Sequence, residues 1–313
     1  MSDTLKIIPS ATANNLLPPN LNHTYFANAD SEKHCFRPND NAFSLVNAWW
    51  LAESSLLAYA DAAFAKKNFQ AAGLQVEFFS GESTGTQCYV AYTNEFAIVA
   101  FRGTQVIKND ASIFHDVLKD ILTDVNFLLV DSKQGGNVHQ GFKTALDEIW
   151  DDLLACLKQL HLQNPKQTFW FTGHSLGAAL ATLAADRYGH AQGLYTFGSP
   201  CVGDNAFADD FYVNTYRFVH NNDIVAHVPL LPYVHVGQLK YIDSHGNLHD
   251  NLTLLDRLAD NANGWLKTII NSIGSLRAGW EIAIPFDNLI DHAPLFYALH
   301  VWNCYIKSIG SAK

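Results

Sequence analysis

An α/β fold with a mainly parallel central sheet is predicted by three features of the chain. Short β-prone runs alternate with helical periods, an aromatic strand runs straight into a small-residue helix, and apolar material is abundant. Hydrophobic residues make up 48% of the 313 residues, aromatics 12% and charged residues 16%, against about 25% charged in an average globular protein. That composition excludes disorder. A single α/β sheet with its cover helices fills a chain of this length as one domain.

Each element follows from its own pattern. Residues 1–40 are rich in Asn, Pro and Asp and read as an extended N-terminal arm over the surface. From Ala42 to about Lys66, the residues Phe43, Val46, Trp50, Leu51, Leu56, Leu57 and Ala60 recur at three- and four-residue intervals, the period of an amphipathic cover helix. Thr86–Tyr92 and Phe96–Phe101 are β-rich runs separated by Thr93-Asn94-Glu95, a hairpin signal that leads into Arg102-Gly103-Thr104. Residues 143–161 place Leu146, Ile149, Leu153 and Leu157 on one helical face. Gln167–Thr172 is a short aromatic strand that enters Gly173-His174-Ser175-Leu176-Gly177 and then an Ala-rich helix. Strand units at 193–200 and 214–223 complete a strand, helix, strand cadence, which demands a parallel sheet covered on both faces. Helical spacing returns over 250–282, around Leu255, Leu258, Trp265, Ile269, Ile273 and Leu276.

Charge and cysteine usage narrow the function. The formal net charge of −10 repels phosphate backbones, and no Lys/Arg-rich run offsets it, so no nucleic acid is expected as a partner. The five cysteines are scattered without a CxxC pair and read as mostly free thiols rather than a disulfide framework or zinc site. The first twenty residues carry neither a basic leader nor an apolar h-region, and no stretch is long and apolar enough for a transmembrane segment. On this reading the expected location is cytoplasmic.

The chemistry centres on Gly173-x-Ser175-x-Gly177 at a strand-to-helix junction, the context that turns a weak five-letter pattern into a nucleophile elbow. The sharp turn exposes the Ser hydroxyl, and the flanking glycines let strand and helix backbones approach. The plainer alternative is a Gly/Ser turn without chemistry. Serine needs a base held by a carboxylate, and downstream of this elbow the chain order is acid, then histidine. Asp223 ends the strand-like run before it, with Asp204, Asp209 and Asp210 as weaker rivals in a polar loop. Eight histidines follow Ser175: His190, His220, His227, His235, His245, His249, His292 and His300. His220 and His235 fall in strand-like segments, where a packed histidine is the commoner role. His292, in a loop entering a final apolar helix, leads on position, with His300 next. His245, His249, Asp243 and Asp250 cluster, but without regular ligand spacing they read as a solvated loop, so no metal is expected.

Seven ordered blocks carry a family resemblance: IVAFRGT (98–104), VHQGF (138–142), FTGHSLGAALATLAA (171–185), YTFGSPCVGD (195–204), YRFVHNNDIVAHVP (216–229), YVHVG (233–237) and DHxxxxY (291–297). In order and spacing the chain resembles the fungal-type, or class 3, lipases. The likeness is dense over 86–240, sparse at the C-terminus and absent from the first forty residues. It implies an α/β-hydrolase fold, a central mainly parallel sheet with helices on both faces and a helical lid, and hydrolysis of acylglycerol esters at a lipid–water interface. It implies a triad of Ser175, Asp223 and His292, and an oxyanion hole made by the backbone N–H groups of Leu176 and Thr104, with no cofactor. One elbow also serves phospholipases and short-chain carboxylesterases, and an inactive lipid- or partner-binding module is the alternative of another class. Arg102, beside this site, reads as the partner of an Asp that holds the loop rather than as a substrate anchor.

Two departures from the family touch the substrate side. Residues 105–121 carry no Trp and look longer than the usual lid. Ile113, Phe114, Val117 and Leu118 form the expected lid and substrate-binding stripe, with Asp110 or Ser112 as cap. A helical insertion is expected over about 247–286, within a hydrolase domain spanning 41–313. Trp265, Ile269, Ile273, Leu276 and Trp280 fall at helical intervals there, either as a cover helix or as a lipid contact.

Overall fold

β3 (Phe96–Phe101) is apolar and buried at every position, the signature of a strand covered on both faces. The computed structural model describes residues 4–104, 128–132, 134–229, 232–250 and 290–310. The lid stripe of Ile113, Phe114, Val117 and Leu118, and the segment from Trp265 to Trp280, lie outside the described residues. Of the expected insertion, Leu248–Asp250 is a strand, and residues 251–286 lie outside the described residues.

β1 (Gln75–Ser80), β2 (Gln87–Tyr92) and β3 form an antiparallel meander. From β3 through β6 (Thr168–His174), β7 (Gly193–Phe197), β8 (Thr215–His220) and β9 (Gln238–Ile242) the pairing is parallel, and β10 (Leu248–Asp250) returns antiparallel. These eight strands form one sheet in the order β1-β2-β3-β6-β7-β8-β9-β10. β4 (Leu129–Asp131) and β5 (Asn137–His139) make a separate two-stranded ribbon. The hairpin, the parallel core and the mainly parallel architecture match the sequence reading.

The period-2 geometry of strands sorts side chains to two cores. On one face Phe101, Phe169, Phe171 and Leu194 pack against α4 (Gln140–Gln163) and α5 (Leu176–Tyr188). α4 presents Leu146, Ile149, Leu153 and Leu157 inward, as its spacing predicts, and α5 is small enough at Ala178, Ala181 and Ala185 to lie close under the sheet. On the other face Ile98, Trp170, Tyr195 and Phe218 meet α2 (Leu45–Leu57) and α7 (Pro294–Gly310).

Two elements differ from expectation. The helix read from Ala42 to Lys66 is two helices, α2 and α3 (Ala62–Ala71), with Asp61 capping the second by accepting from Phe64 N at 2.9 Å. α2 is no half-exposed cover helix. It is buried from Val46 to Leu57 because α7 packs on the side that the sheet leaves open, with Trp49 and Trp302 ring centroids 4.9 Å apart. Nor is the N-terminal arm merely extended over the surface. It contains a short helix, α1 (Ala13–Leu16), and it inserts Leu16, Leu17, Tyr25, Phe26 and Phe36 into the interior.

The arm is tied down by Glu53, a fully buried carboxylate in the middle of α2. It accepts from His23 Nε2 at 2.9 and 3.1 Å, Trp49 Nε1 at 3.1 Å and Lys6 Nζ at 3.3 Å. Burial pushes its pKa up, but His23 and Lys6 with their hydrogen bonds outweigh it and hold the carboxyl at about 2. A carboxyl whose folded pKa is depressed stabilises above its unfolded value near 4.3 and loses that contribution as pH falls toward the folded value. Glu53→Gln is therefore expected to cost about 2–3 kcal/mol at neutral pH. In urea unfolding, the gap to wild type should narrow as pH falls from about 5 toward 2.

Candidate active site

The parallel strands deliver their following loops to one edge, where the reversals of an open α/β sheet make a crevice. Thr104 follows β3, Ser175 follows β6 and Asp223 follows β8, so three of the residues expected at the site leave the same edge of the sheet.

Ser175 has φ 58° and ψ −130°, a conformation that side-chain-bearing residues rarely adopt and that costs of order 1–3 kcal/mol. Its N–H donates to Phe197 O at 3.0 Å, pinning the turn to β7. A Cβ on Gly173 would overlap the Gly177 carbonyl, and one on Gly177 would overlap the Phe101 carbonyl, so both glycines are demanded by backbone contact. Leu176 is the first residue of α5, where N–H groups lack intrahelical acceptors. Thr104 lies at the end of the β3 loop, half-buried.

Asp223 is fully buried. Its carboxylate accepts from Val225 N at 2.9 Å, from Tyr297 Oη at 2.6 Å and from His292 Nδ1 at 2.9 Å to both oxygens. Burial works to raise its pKa, yet the attraction of His292 and the bonds from His292 and Tyr297 prevail and hold it below the ordinary carboxylate value. An ionised carboxylate can only accept, so His292 Nδ1–H donates to it and Nε2 is turned away from Asp223. His292 itself is 1% exposed and enters from the loop before α7. That loop is fastened by Asp291, whose Oδ2 accepts from Asn221 Nδ2 at 2.9 Å and from Asn222 N at 3.0 Å. It is also fastened by Leu16 of the arm, packed on Ala293 and Phe296.

The rivals have other work. Asp204 caps α6 (Asn205–Asp209) by accepting from Phe207 N at 2.9 Å and also takes Asn137 N at 3.0 Å, while Asp209 and Asp210 are exposed. His300 packs on His220 with ring centroids 4.5 Å apart, and His220 Nδ1 donates to the Asp291 carbonyl at 3.2 Å. His235 contacts the Ala226 carbonyl at 2.7 Å. Asp243 binds the His245 and Asn247 N–H groups and His249 Nε2, closing the β9–β10 turn. Arg102 donates to Gln87 and to the Gly85 carbonyl.

Sequence reasoning missed Gly198 and the role of Tyr297. Gly198 has φ 57°, and a Cβ there would lie 2.6 Å from Asp223 Oδ2 and 3.0 Å from His292 Nδ1, so the pair occupies the space a side chain would need. A glycine immediately after a buried strand was the available signal.

A family model described as Lipase (class 3) matches residues 98–233. A solved structure from a family of fungal lipases is 30% identical at TM-score 0.55, covering 67% of this chain and 82% of its own. The chain belongs to the class 3 lipase family. Among curated members, a secreted mono- and diacylglycerol lipase of Penicillium cyclopium is 36% identical over 190 residues, 56% of this chain and 58% of its own length. One of Fusarium solani is 33% identical over 175 residues, covering 52% of this chain and 49% of its own. This class 3 lipase chain thus spans about half the length of the curated relatives it matches. Rhizomucor miehei lipase, solved with its propeptide, is 25% identical at TM-score 0.55, covering 65% of this chain and 69% of that one.

The cytoplasmic expectation is corrected by the Penicillium and Fusarium relatives, which are named as secreted. The address is read from a short segment by export machinery, whereas the hydrolase body is the same on either side of a membrane, so composition of the body is silent on compartment. Among the described residues no helix is long and apolar enough to cross a membrane.

The buried histidines set an acid limit. Burial, then His220 and Lys307, push His300 down to about 3, and burial lowers His220 also. With folded pKa values below the unfolded value near 6.5, the unfolded chain binds the extra protons, so stability falls as pH drops below about 6.5. His300→Asn should flatten the decline in urea-unfolding free energy between about pH 7 and pH 5. An equally steep decline in the variant would remove His300 from the cause.

Proposed function

We propose that the protein is a carboxylic ester hydrolase acting on acylglycerols, with Ser175, His292 and Asp223 as its triad. The observation that carries this reading is the fully buried Asp223 fixing the Nδ1–H tautomer of His292 beside a strained serine elbow. Ser175 Oγ attacks the acyl carbonyl while His292 Nε2 takes its proton. The backbone N–H groups of Leu176 and Thr104 receive the oxyanion. Collapse of the tetrahedral intermediate breaks the ester C–O bond, and His292 returns the proton to the departing alcohol. Water, deprotonated by the same nitrogen, then releases the acid and restores Ser175. Asp223 stays ionised throughout and stabilises the imidazolium. The names of the Penicillium and Fusarium relatives favour partial glycerides as substrates, presented at a lipid–water interface.

Ser175→Ala should lower turnover by about 10⁴ to 10⁶ with folding intact, since triad members act as a unit. Gly198→Ala should lower kcat by at least about 10²-fold, because the new methyl group displaces the Asp–His pair. Monoolein, diolein, triolein, phosphatidylcholine and p-nitrophenyl esters tested in parallel decide the substrate. Preference for phosphatidylcholine would replace the acylglycerol reading with a phospholipase, and a Ser175→Ala enzyme with more than a few per cent of turnover would remove the triad.

A further inference from the structure

We propose that His174, the residue before the nucleophile, is a positioning residue that sets the His292 loop against the elbow, and that the Tyr59 hydroxyl fixes the tautomer it needs. The inference rests on the hydrolase reading above.

His174 ends β6 on the face shared with Thr172, whose hydroxyl donates to the Leu51 carbonyl of α2 at 3.1 Å. Its side chain is thus turned toward α2 and α7, not toward α5. There Nε2 meets the carbonyl oxygen of His292 at 2.7 Å, and Nδ1 meets Tyr59 Oη at 2.8 Å. A carbonyl oxygen can only accept, so the proton of His174 is on Nε2. Nδ1 then holds a lone pair, and the Tyr59 hydroxyl must donate to it. Burial, reinforced by His292, holds the His174 pKa well below the ordinary histidine value, so the ring stays neutral with one donor and one acceptor.

Both ends of this chain touch the site. The bonded carbonyl belongs to His292 itself, and the two imidazoles lie with centroids 4.5 Å apart. A β-carbon on Gly103 would overlap the Tyr59 hydroxyl, so the same oxygen abuts the residue before Thr104. One hydroxyl and one ring therefore bring the oxyanion loop, the elbow and the base loop into a common frame. The bond acts on the backbone of His292, while Asp223 acts on its ring. Two anchors on one residue leave its Nε2 a single position to occupy, and misplacing a reacting group by about 1 Å costs on the order of 10²-fold in rate.

The test compares His174→Leu, His174→Gln and Tyr59→Phe with wild type, using p-nitrophenyl butyrate turnover and the downfield proton resonance of the His292 Nδ1–H held by Asp223. Gln carries its amide nitrogen as many bonds from Cα as His carries Nε2, so it can donate to the same carbonyl. The His174→Leu variant should lose about 10²-fold in kcat with KM within about twofold, and its resonance should broaden or vanish. The His174→Gln variant should recover both. Tyr59→Phe, the milder change if His174→Leu prevents folding, should lose about tenfold in kcat with partial broadening. An unchanged resonance in His174→Leu, or in Tyr59→Phe where His174→Leu does not fold, overturns the proposal even if turnover falls. A wild type that neither hydrolyses the ester nor is labelled at Ser175 by a fluorophosphonate defeats the hydrolase reading instead, and the resonance then still decides the positioning role.

Discussion

A carboxylate taken completely out of water costs several kcal/mol unless its lone pairs are met by donors held in place. Asp223 is such a group, and the architecture around it reads as the means of supplying those donors. The Val225 N–H comes from the turn after β8, the His292 N–H from the loop before α7, and the Tyr297 hydroxyl from the first turn of α7. α7 delivers Tyr297 to the ends of β7 and β8, where its ring meets Phe197 and its hydroxyl accepts the His220 N–H at 3.0 Å, and α2 holds α7 in place with Trp49 on Trp302. The arm then closes the outside of α7, with Trp302 Nε1 donating to Thr4 O at 3.0 Å and Asn303 bonded to the backbone of Lys6. A single ionised group thus explains why so much apolar surface on this face is organised toward one edge of the sheet.

What could be read in the sequence divides along contact range. The elbow was legible because its requirements are local: a strand, a turn that needs glycines, and a helix starting at Leu176. Asp223 and the alternating strands and helices were legible for the same reason. His292 led His300 only narrowly on position and was set apart by family resemblance, because its distinction is made by contact with Asp223, 69 residues away, and by the packing of His300 on His220. Glu53 is the opposite extreme. In the sequence it looks like the polar side of a helix, and its burial depends on His23 and Lys6, which lie far from α2 along the chain. The arm was misjudged for a related reason: Asn and Pro report local conformation, whereas Leu16 and Phe26 are buried by partners that α7 and α2 bring from elsewhere.

The histidines show how burial and charge were apportioned. His174 and His220 flank the Asp223–His292 pair, and His300 backs His220, yet burial presses all three toward neutrality. Had any of them stayed protonated, its charge would have competed with His292 for Asp223, in a medium where charges interact far more strongly than in water. Each neutral ring instead serves as a dipole of fixed direction: His174 and His220 donate to the carbonyls of His292 and Asp291, consecutive residues of the same loop. The loop is therefore gripped by two neutral donors from β6 and β8, the strands on either side of β7, while Asp223 holds the ring of His292. The cost appears as lost stability below the histidine range, since the unfolded chain accepts protons that the folded one refuses. Acid tolerance and the fixing of the His292 loop are set by the same buried rings.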